Sequence, residues 1–314
     1  MSTTSAEEKK GPGGTVVTET AEEVREEHRG ERRVYRDDEY AERHVYLPHK
    51  VGLPPLGHYL RLVWQRRQFA FELSRTTMRA KHFNTAFGQL WLLLNPLLLG
   101  LVYFLLVDLL RGGGRPLSFF AHLLGGLFLY QVLQTSATEG ARSVVKGGGL
   151  ILNTAFPRTL LPIASVTTSF KRFLPTMLVY FPIHFAAGLG LDWQMLWAIP
   201  ICAMVVVFSA GVAMFVAAAE VYFRDLSSFL PYLLRIWLYL SPVLYYWEEV
   251  PHKYKTLLEF NPMVPMLASW SDVLNAGKTP ELGLMLLGTA WALFAVVFGA
   301  LFFISRERDF AVRI

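Results

Sequence analysis

Three cationic side chains stand inside long apolar stretches of this 314-residue sequence, where a charge needs a chemical reason. Lys171 and Arg172 are adjacent within the apolar run 160–191, and Arg235 interrupts the run 226–247. At the centre of a hydrocarbon layer each cation would cost roughly 2.5–3.5 kcal/mol unless it is paired or hydrated. Because no acidic residue lies at a comparable depth in any of the apolar runs, the pattern predicts a water-filled cavity or an anionic ligand.

These cations have a simpler alternative, in which the charge lies at the edge of the apolar layer. If the helix of run 160–191 crosses only from Phe173 onward, 19 residues remain, which is just long enough. Lys171 and Arg172 would then extend to the interface with their aliphatic stems in the apolar layer. Arg235 lies about 9 residues, or ~14 Å, inside its own run, so the interfacial alternative explains it less well.

The composition excludes an ordinary soluble protein. Hydrophobic residues make up 53% of the chain and charged residues only 18%, whereas soluble domains carry about a quarter charged residues. Residues 1–56 are rich in charge of both signs, and we interpret them as a polar, disordered cytoplasmic tail. The net charge of +5 averages this tail with the apolar remainder and does not indicate a nucleic-acid partner. The single cysteine, Cys202, excludes an internal disulfide and a cysteine metal site.

The apolar runs predict an all-α membrane protein with six transmembrane helices. An uncharged run of about 20 residues can cross a bilayer because a helix satisfies its own backbone hydrogen bonds. With the N-terminus inside, the inner segments hold thirteen Lys and Arg residues against five outside, so the positive-inside rule places both termini in the cytoplasm. Six runs qualify or nearly qualify, at 89–110, 119–138, 160–191, 195–219, 226–247 and 282–304.

Two flanking segments are too apolar to be plain loops. Residues 57–86 mix basic and large apolar side chains at helical spacing, which predicts an amphipathic helix at the membrane interface or against a protein partner. The outer segment 248–281 predicts short re-entrant helices that dip back into the outer leaflet, limited to a few turns by its prolines. The expected domains are therefore the tail 1–56, the interface helix 57–86 and a six-span domain 87–314.

The sequence lacks the motifs of the common catalytic sites. The glycine runs 112–114 and 147–149 are not followed by the Lys-Ser/Thr of a phosphate-binding loop, and neither H-E-x-x-H nor G-x-S-x-G occurs. A glycosyltransferase would need carboxylates that hold a metal and a nucleotide-sugar, but the inner loops offer only Glu139, Glu220 and Asp225 among basic neighbours. We therefore expect no catalysis, no cofactor and no metal in this chain alone.

Five segments resemble the permease subunit of ABC exporters of lipid-linked polysaccharides, the family that exports O-antigen, teichoic acid and galactan. Each motif is weak alone, but they occur in the family's order on a six-span frame that covers about 57–314. The segments are FGQLWLLLNPLL (87–98), LILNTAFPRTLLP (150–162), VYFRDLSSFLP (221–231), SPVLYY (241–246) and NPMVP (261–265).

The resemblance implies a type-two ABC exporter permease fold that forms a homodimer and binds two copies of a separate ATP-binding subunit, which holds ATP and Mg. Closure of those subunits would reach the membrane through protruding segments. The alternative is that Arg158 only marks a helix end and that Arg224 and Asp225 form a local pair. The segments implied in contact with the ATP-binding subunit lie near 140–158 and 221–228, together with the interface helix 57–86. Within them the residues implied are Phe156, Pro157, Arg158, Tyr222, Arg224 and Asp225.

The resemblance also implies a substrate, a glycan carried on polyprenyl pyrophosphate in a bacterial plasma membrane. Lys171, Arg172 and Arg235 would then receive the pyrophosphate as the lipid enters from the membrane. Aromatic rings would line the sugar path, although tyrosine and tryptophan belts also occur at the interfaces of most membrane proteins. The candidate aromatic residues are Tyr103, Phe104, Tyr130, Trp237, Tyr239, Tyr245, Tyr246 and Trp247.

Three other functions stay open at this point. An ABC permease that exports a drug or a small lipid would share the same frame. A membrane glycosyltransferase would turn over nucleotide-sugar without an ATPase, and a membrane scaffold would have a sealed, charge-free interior. Within the resembling family we expect galactan or a similar cell-wall polymer as the cargo.

Overall fold

The computed structural model describes residues 55–80 and 90–314, and within these ranges the chain consists of helices and short connections, with no strand. The expected all-α class is confirmed for this part of the chain. Three short 3₁₀ turns, Trp193–Trp197, Trp247–Glu249 and Glu307–Asp309, join some of the helices. The α-helices are α1 Leu56–Gln65, α2 Arg67–Ala80, α3 Trp91–Leu110, α4 Leu117–Lys146, α5 Gly148–Asn153, α6 Leu160–Ala186, α7 Ala198–Tyr222, α8 Leu226–Tyr239, α9 His252–Glu259, α10 Met263–Asn275, α11 Leu282–Arg306 and α12 Phe310–Arg313.

Four helical segments of the described chain are long and apolar enough to cross a membrane: Trp91–Leu110, Leu117–Lys146, Trp193–Tyr222 and Leu282–Arg313. The chain is therefore a multi-pass membrane protein. Neither α6, which carries Lys171 and Arg172, nor α8, which has only 14 residues, is among them. Because 14 helical residues measure ~21 Å, against a hydrocarbon core of about 30 Å, α8 needs the residues after it to complete a crossing. The six-span arrangement stays a prediction.

The run predicted at 226–247 is not one continuous helix. The α-helix ends at Tyr239, and residues 241–246 turn before the 3₁₀ segment that starts at Trp247. Pro242 explains the end, since a proline disfavours helical backbone at the residue before it. The Ser241 hydroxyl, which donates to the Trp237 carbonyl at 2.8 Å, closes the last turn.

Helix α4 is the centre of the bundle and packs against α3, α6, α7, α8 and α10. Its glycines let neighbours approach closely: Tyr180 of α6 and Trp270 of α10 both lie against Gly125. The Trp270 indole N–H donates to the Gly125 carbonyl at 3.1 Å. Because Gly125 is the ninth residue of α4, ~12 Å from its start, the buried helix α10 lies well inside the bundle.

Helices α7 and α11 form the closest helix pair. A Cβ atom added at Gly299 would overlap the Gly211 carbonyl oxygen, and one added at Gly211 would overlap the backbone of Ala295. Small residues at such a contact let two membrane helices gain dispersion energy that larger side chains would prevent. This pair fixes α11 on the outside of the bundle.

The segment predicted as one interface helix, 57–86, contains two helices. The backbone leaves helical geometry at Arg66, where φ is −97° and ψ is 15°, and the Arg66 guanidinium donates to the Ala155 carbonyl. Apolar side chains such as Leu60 and Trp64 are exposed on α1, as expected for a helix at a membrane surface. Residues 81–86 of this segment, the start of the first predicted span at 89 and residues 1–54 of the predicted tail 1–56 lie outside the described residues.

Candidate functional site

Arg235 lies on an exposed face of α8, with Tyr239 one turn further along the same helix. The Tyr239 hydroxyl is 3.3 Å from the Tyr103 hydroxyl of α3, and the two rings meet edge to face at 6.1 Å. Within residues 55–80 and 90–314, no ion pair or hydrogen bond holds the Arg235 guanidinium. The structure thus places a cation and an exposed tyrosine on one face of α8, with the buried Tyr103 of α3 beside that tyrosine.

Lys171 has a partner from the interface helix. Its ammonium group lies 3.4 Å from the Phe71 carbonyl oxygen of α2 and 5.5 Å from the centre of the Phe71 ring. These contacts place Lys171 beside α2, which agrees with the interfacial alternative for this residue. Both the aromatic ring and the carbonyl dipole are favourable neighbours for an ammonium group.

Arg172, the next residue, faces the interior instead. Its side chain lines two clefts of about 200 Å³ and 180 Å³, which follow one another along the groove between α4 and α6. The Nε atom is buried and has no hydrogen-bond partner among the described residues. Arg235 lines neither cleft, so the three cations predicted to act together occupy three different surroundings.

The predicted aromatic residues also divide into buried and accessible groups. Tyr103 and Tyr130 are buried, and the Tyr130 hydroxyl donates to the Leu234 carbonyl at 2.6 Å. Phe104 packs edge to face on Phe120 at 5.2 Å. In this conformation Tyr130 therefore contributes to the core between α4 and α8 and offers no surface to a sugar.

The aromatic residues in the last turn of α8 and after it are held by specific contacts. The Trp237 indole N–H donates to the Asn261 side-chain oxygen at 2.6 Å. Tyr246 packs on His122 at 4.3 Å, and the Lys255 ammonium lies over the Trp247 ring at 5.3 Å. Tyr245 donates to the Leu240 carbonyl at 3.1 Å. Tyr239, which is 45% exposed, is the most accessible member of the predicted set.

The first predicted coupling segment, 156–158, is packed against the interface helices. The Phe156 ring meets Phe69 of α2 at 4.9 Å, and Pro157 is buried. The Arg158 backbone N–H donates to the Glu307 carboxylate at 2.7 Å, and its guanidinium donates to the Glu307 carbonyl. Arg158 therefore marks the start of α6 and also binds the segment that follows α11.

The second predicted coupling segment, 222–225, contacts the same C-terminal residues. The Tyr222 hydroxyl donates to Asp309 at 2.8 Å, and the Arg313 guanidinium lies over the Tyr222 ring at 4.5 Å. Arg224 donates to the Arg313 carbonyl at 2.9 Å. Asp225 is exposed and stands at the N-terminus of α8. Segment 307–314 thus joins both predicted coupling segments, which the sequence did not indicate.

Glu307 and Tyr59 are the main residues that sequence reasoning missed at this end. The Tyr59 hydroxyl donates to Glu307 at 2.6 Å and lies 3.0 Å from the Thr159 hydroxyl. Burial raises the pKa of Tyr59 above its ordinary value, and the nearby Glu307 carboxylate adds to this shift. Tyr59 therefore stays protonated and acts as a donor, so one carboxylate connects α1, the start of α6 and the end of α11.

A second ionic cluster lies at the end of the bundle that carries the loop 111–116. Glu249 pairs with Arg111 at 2.9 Å and with Arg115 at 3.3 Å. The Arg115 backbone N–H donates to Asp108 at 2.8 Å, and its guanidinium lies over Phe119 at 4.5 Å. These contacts fix the loop between α3 and α4 to the 3₁₀ turn after α8.

Relatives of known function were found by sequence comparison, although no protein-family model matches the chain. The chain is 29% identical over 206 residues to the O-antigen export system permease protein RfbA of Klebsiella pneumoniae, which covers 65% of this chain and 79% of the relative. It is 27% identical over 257 residues to the protein of the same name from Myxococcus xanthus, which covers 80% of this chain and 97% of the relative. These relatives confirm the resemblance of this chain to the permease subunits of polysaccharide-exporting ABC transporters.

Proposed function

We propose that this chain is the membrane-spanning subunit of an ATP-driven exporter of a lipid-linked polysaccharide. The cargo would be a glycan on polyprenyl pyrophosphate, such as galactan or a similar cell-wall polymer, moved to the outer face of a bacterial plasma membrane. The observation that carries the proposal is the similarity over 80% of the chain to an O-antigen export permease. Four membrane-length helices in the described residues fit a transport subunit.

In the proposed topology the chain crosses the membrane six times and both termini lie in the cytoplasm. Helix α6 is the third span, and α8 with the residues after it is the fifth. The excess of Lys and Arg in the inner segments supports this orientation. The position of Trp270 against Gly125 supports the idea that α10 is a re-entrant helix on the outer side.

Transport would need an ATP-binding partner subunit, because this chain has no phosphate-binding loop of its own. We propose two copies of that subunit, one for each copy of this chain. The segments 156–158 and 222–225 are proposed to contact that subunit. Phe223 is 72% exposed, and Arg224 and Asp225 are exposed beside it, as a docking surface requires. Phe156 would transmit motion to α2, which it contacts directly.

A second copy of the chain is the proposed partner within the membrane. Helix α3 buries only 17% of its most apolar window in this chain, and α8 exposes Tyr232 and Ile236 together with Arg235. In a homodimer built on these faces, Arg235 would lie at the boundary between the copies rather than against lipid. There it could be hydrated and could receive the pyrophosphate of the cargo, with Tyr239 beside it to contact the sugar.

Export by Arg235→Ala tests this proposal. We expect the variant to lose export while it still assembles with the ATP-binding subunit, since the substitution removes the cation but keeps the helix. Lys253→Ala, which removes an exposed cation at the start of α9, is the matched control and should export normally. Surface glycan is measured in cells, and assembly is measured by copurification. Normal export by Arg235→Ala would contradict the role of Arg235.

Purification distinguishes the wider alternatives. Lipid-linked sugar that copurifies with the complex would support the proposal, whereas ATPase stimulation by small amphiphiles would favour a drug or small-lipid exporter. Turnover of nucleotide-sugar by the chain without any ATPase would instead indicate a glycosyltransferase. A complex that assembles but moves no solute would be a scaffold.

A further inference from the structure

The cleft beside Arg172 has several polar side chains in its wall, although it lies between apolar helices. It lies between α3, α4 and α6 and has a volume of about 200 Å³. Apolar groups including Leu92, Phe128 and Phe173 form part of the wall. The remaining wall carries the polar side chains of Asn95, Gln131, Thr135, Ser169 and Arg172.

Several donors in this cleft have no partner within the part of the chain that the structure describes. The Arg172 Nε atom is buried and without a hydrogen bond. The side-chain amides of Asn95 and Gln131 likewise form no hydrogen bond with the described residues. By contrast, Thr135 and Ser169 donate to carbonyls of their own helices, at 2.7 Å and 3.0 Å. The groups of this cleft without a hydrogen bond among the described residues thus include the Arg172 Nε atom and two side-chain amides, donors that suit an oxyanion.

A second cleft connects Arg172 with the end of the bundle where α2 lies. This cleft, of about 180 Å³, is lined by Thr77 of α2 and by Glu139 and Lys146 of α4. The Lys146 ammonium lies 3.9 Å from Glu139, and the Glu139 carboxylate attracts the Arg172 guanidinium. Arg172 therefore lines both clefts, one with the charged side chains of Glu139 and Lys146 and the other with polar side chains.

The neighbouring cation gives a useful contrast. Lys171 contacts Phe71 of α2 through its ammonium group, so it has a partner within the described chain that the Arg172 Nε atom lacks. Arg172 lies on the face of α6 that packs along α4 and contributes to both clefts. A role in binding an anion is therefore expected of Arg172 and not of Lys171, although the two residues are adjacent in the sequence.

We propose that the α3–α4–α6 cleft binds the phosphate group of a lipid, through the Arg172 guanidinium and the amides of Asn95 and Gln131. A cleft of 200 Å³ is smaller than the sites of about 300–1,000 Å³ that enclose whole drug-sized ligands, so it fits a headgroup rather than a polymer. Asn95 is exposed on α3, a helix with most of its surface uncovered, which gives a lipid lateral access. The acyl or isoprenoid chain would stay outside, along the apolar wall.

The assignment of this lipid to the inner leaflet, and to polyprenyl pyrophosphate in particular, rests on the proposed function. The cleft would be a first binding position for the carrier lipid, separate from Arg235. The geometry requires only a phosphate group with a hydrocarbon chain, which bulk phospholipids also provide. The experiment therefore includes both kinds of lipid and a soluble anion.

Lipid binding to the full-length protein in nanodiscs tests the proposal, with native mass spectrometry as the readout. The probes are undecaprenyl pyrophosphate, phosphatidylglycerol and inorganic pyrophosphate. We expect Arg172→Gln to weaken undecaprenyl pyrophosphate binding on the order of tenfold, as loss of a charge-assisted hydrogen bond implies. Lys171→Gln is the matched control and should stay within about twofold of the unsubstituted protein. Equal binding by Arg172→Gln and the unsubstituted chain would overturn the proposal.

The remaining outcomes also decide the question. If Arg172→Gln fails to fold, Gln131→Leu replaces it, and weaker binding by that variant supports the cleft, whereas unchanged binding overturns it. Arg172-dependent binding of phosphatidylglycerol alone supports a phosphate site but contradicts its use by the carrier lipid. Binding of inorganic pyrophosphate with the same affinity as the lipid overturns the lipid assignment. A protein that binds the carrier lipid through Arg172 but exports no glycan contradicts the proposed function and leaves this site intact.

Discussion

Glu307 is a single carboxylate that receives hydrogen bonds from two segments distant in sequence. Tyr59 of α1 donates to it at 2.6 Å, and the Arg158 backbone N–H donates at 2.7 Å. Both bonds involve a charged acceptor, so each is stronger than a bond between neutral groups. Glu307 thereby attaches the first interface helix to the start of α6.

We expect Glu307→Gln to destabilise the protein by about 1–3 kcal/mol, because the charge is lost and an amide cannot accept both bonds as well. The apparent unfolding temperature of the purified protein in detergent measures the effect. Glu72→Gln is the control: Glu72 is exposed on α2, 3.9 Å from Arg75, and its loss should change stability by no more than about 0.5 kcal/mol. Equal unfolding temperatures for the two variants would refute this role of Glu307.

Asp272 of α10 is expected to make stability depend on pH. Burial raises the pKa of Asp272 to about 6, and the Glu248 carboxylate adds to the shift while Lys278 opposes it. Since the folded pKa lies above the unfolded value of about 3.9, the folded state binds more protons between these values. The contribution of protonated Asp272 to stability is therefore fully present below about pH 4 and is lost as the pH rises through about 6.

Thermal unfolding measured across that range checks this prediction. Asp272→Asn should remove the decline, because the amide does not titrate, and should leave the protein more stable than the parent near neutral pH. Glu259→Gln, at an exposed position of α9, should keep the decline. If the unfolding temperatures of the parent and of Asp272→Asn depend on pH in the same way between pH 4 and about 6, the assignment to Asp272 is wrong.

The sequence identified the cations by contrast with their apolar neighbours, but it could not identify their partners. Lys171 and Arg172 look equivalent in the sequence, and only the position of α2 separates their roles. In the sequence, Glu307 simply stands between Arg306 and Arg308. Its partners Tyr59 and Arg158 are 248 and 149 residues away, and no local pattern encodes contacts at that separation.

At the scale of helices, the contact between Gly211 of α7 and Gly299 of α11 is the most constrained. We expect Gly299→Ala to destabilise the protein by about 1–3 kcal/mol, because its methyl group would meet the Gly211 carbonyl and force the helices apart. Gly283→Ala in the first turn of α11, where the added atom approaches only the end of the Glu281 side chain, is the control. Unfolding temperature separates the two, and equal values would mean that the helices adjust freely.

The helix boundaries show what hydropathy detects and what it misses. The run 119–138 located α4, but that helix continues to Lys146, because helical hydrogen bonding persists where the side chains turn polar. The run 226–247 was too long for α8, since apolar residues continue past the turn at Pro242. Hydropathy reports the depth of a segment in the membrane, whereas helix ends are set by backbone chemistry.

At the scale of the whole molecule, burial divides the membrane helices into a centre and a periphery. The most apolar window of Leu117–Lys146 is 72% buried, against 17% for Trp91–Leu110 and 28% for Leu282–Arg313. A peripheral helix must face lipid or another copy of the chain. The composition predicted a multi-pass protein correctly, but it could not rank the helices, because all of them are apolar enough to face lipid.

The number of crossings can be decided with thiol labelling, which the single native cysteine makes simple. In a Cys202→Ala background, single cysteines replace Gly149, Gly190, Phe223 and Lys253, which are exposed and lie in the segments that flank α6 and α8. Six crossings predict that a membrane-impermeant maleimide added to intact spheroplasts labels positions 190 and 253 and not 149 and 223. Permeabilised cells, in which all four should react, provide the control.

A chain in which only the four membrane-length helices cross would give a different pattern. Without a crossing by α6, positions 149 and 190 would lie on the same side, and without one by α8, positions 223 and 253 would do so. The distinction matters for the cations, because Arg172 and Arg235 lie on these two helices. If α6 and α8 cross, both charges lie within the bilayer and need the polar surroundings proposed for them. If positions 149 and 190 label together, Arg172 lies at the surface, where water alone could solvate it.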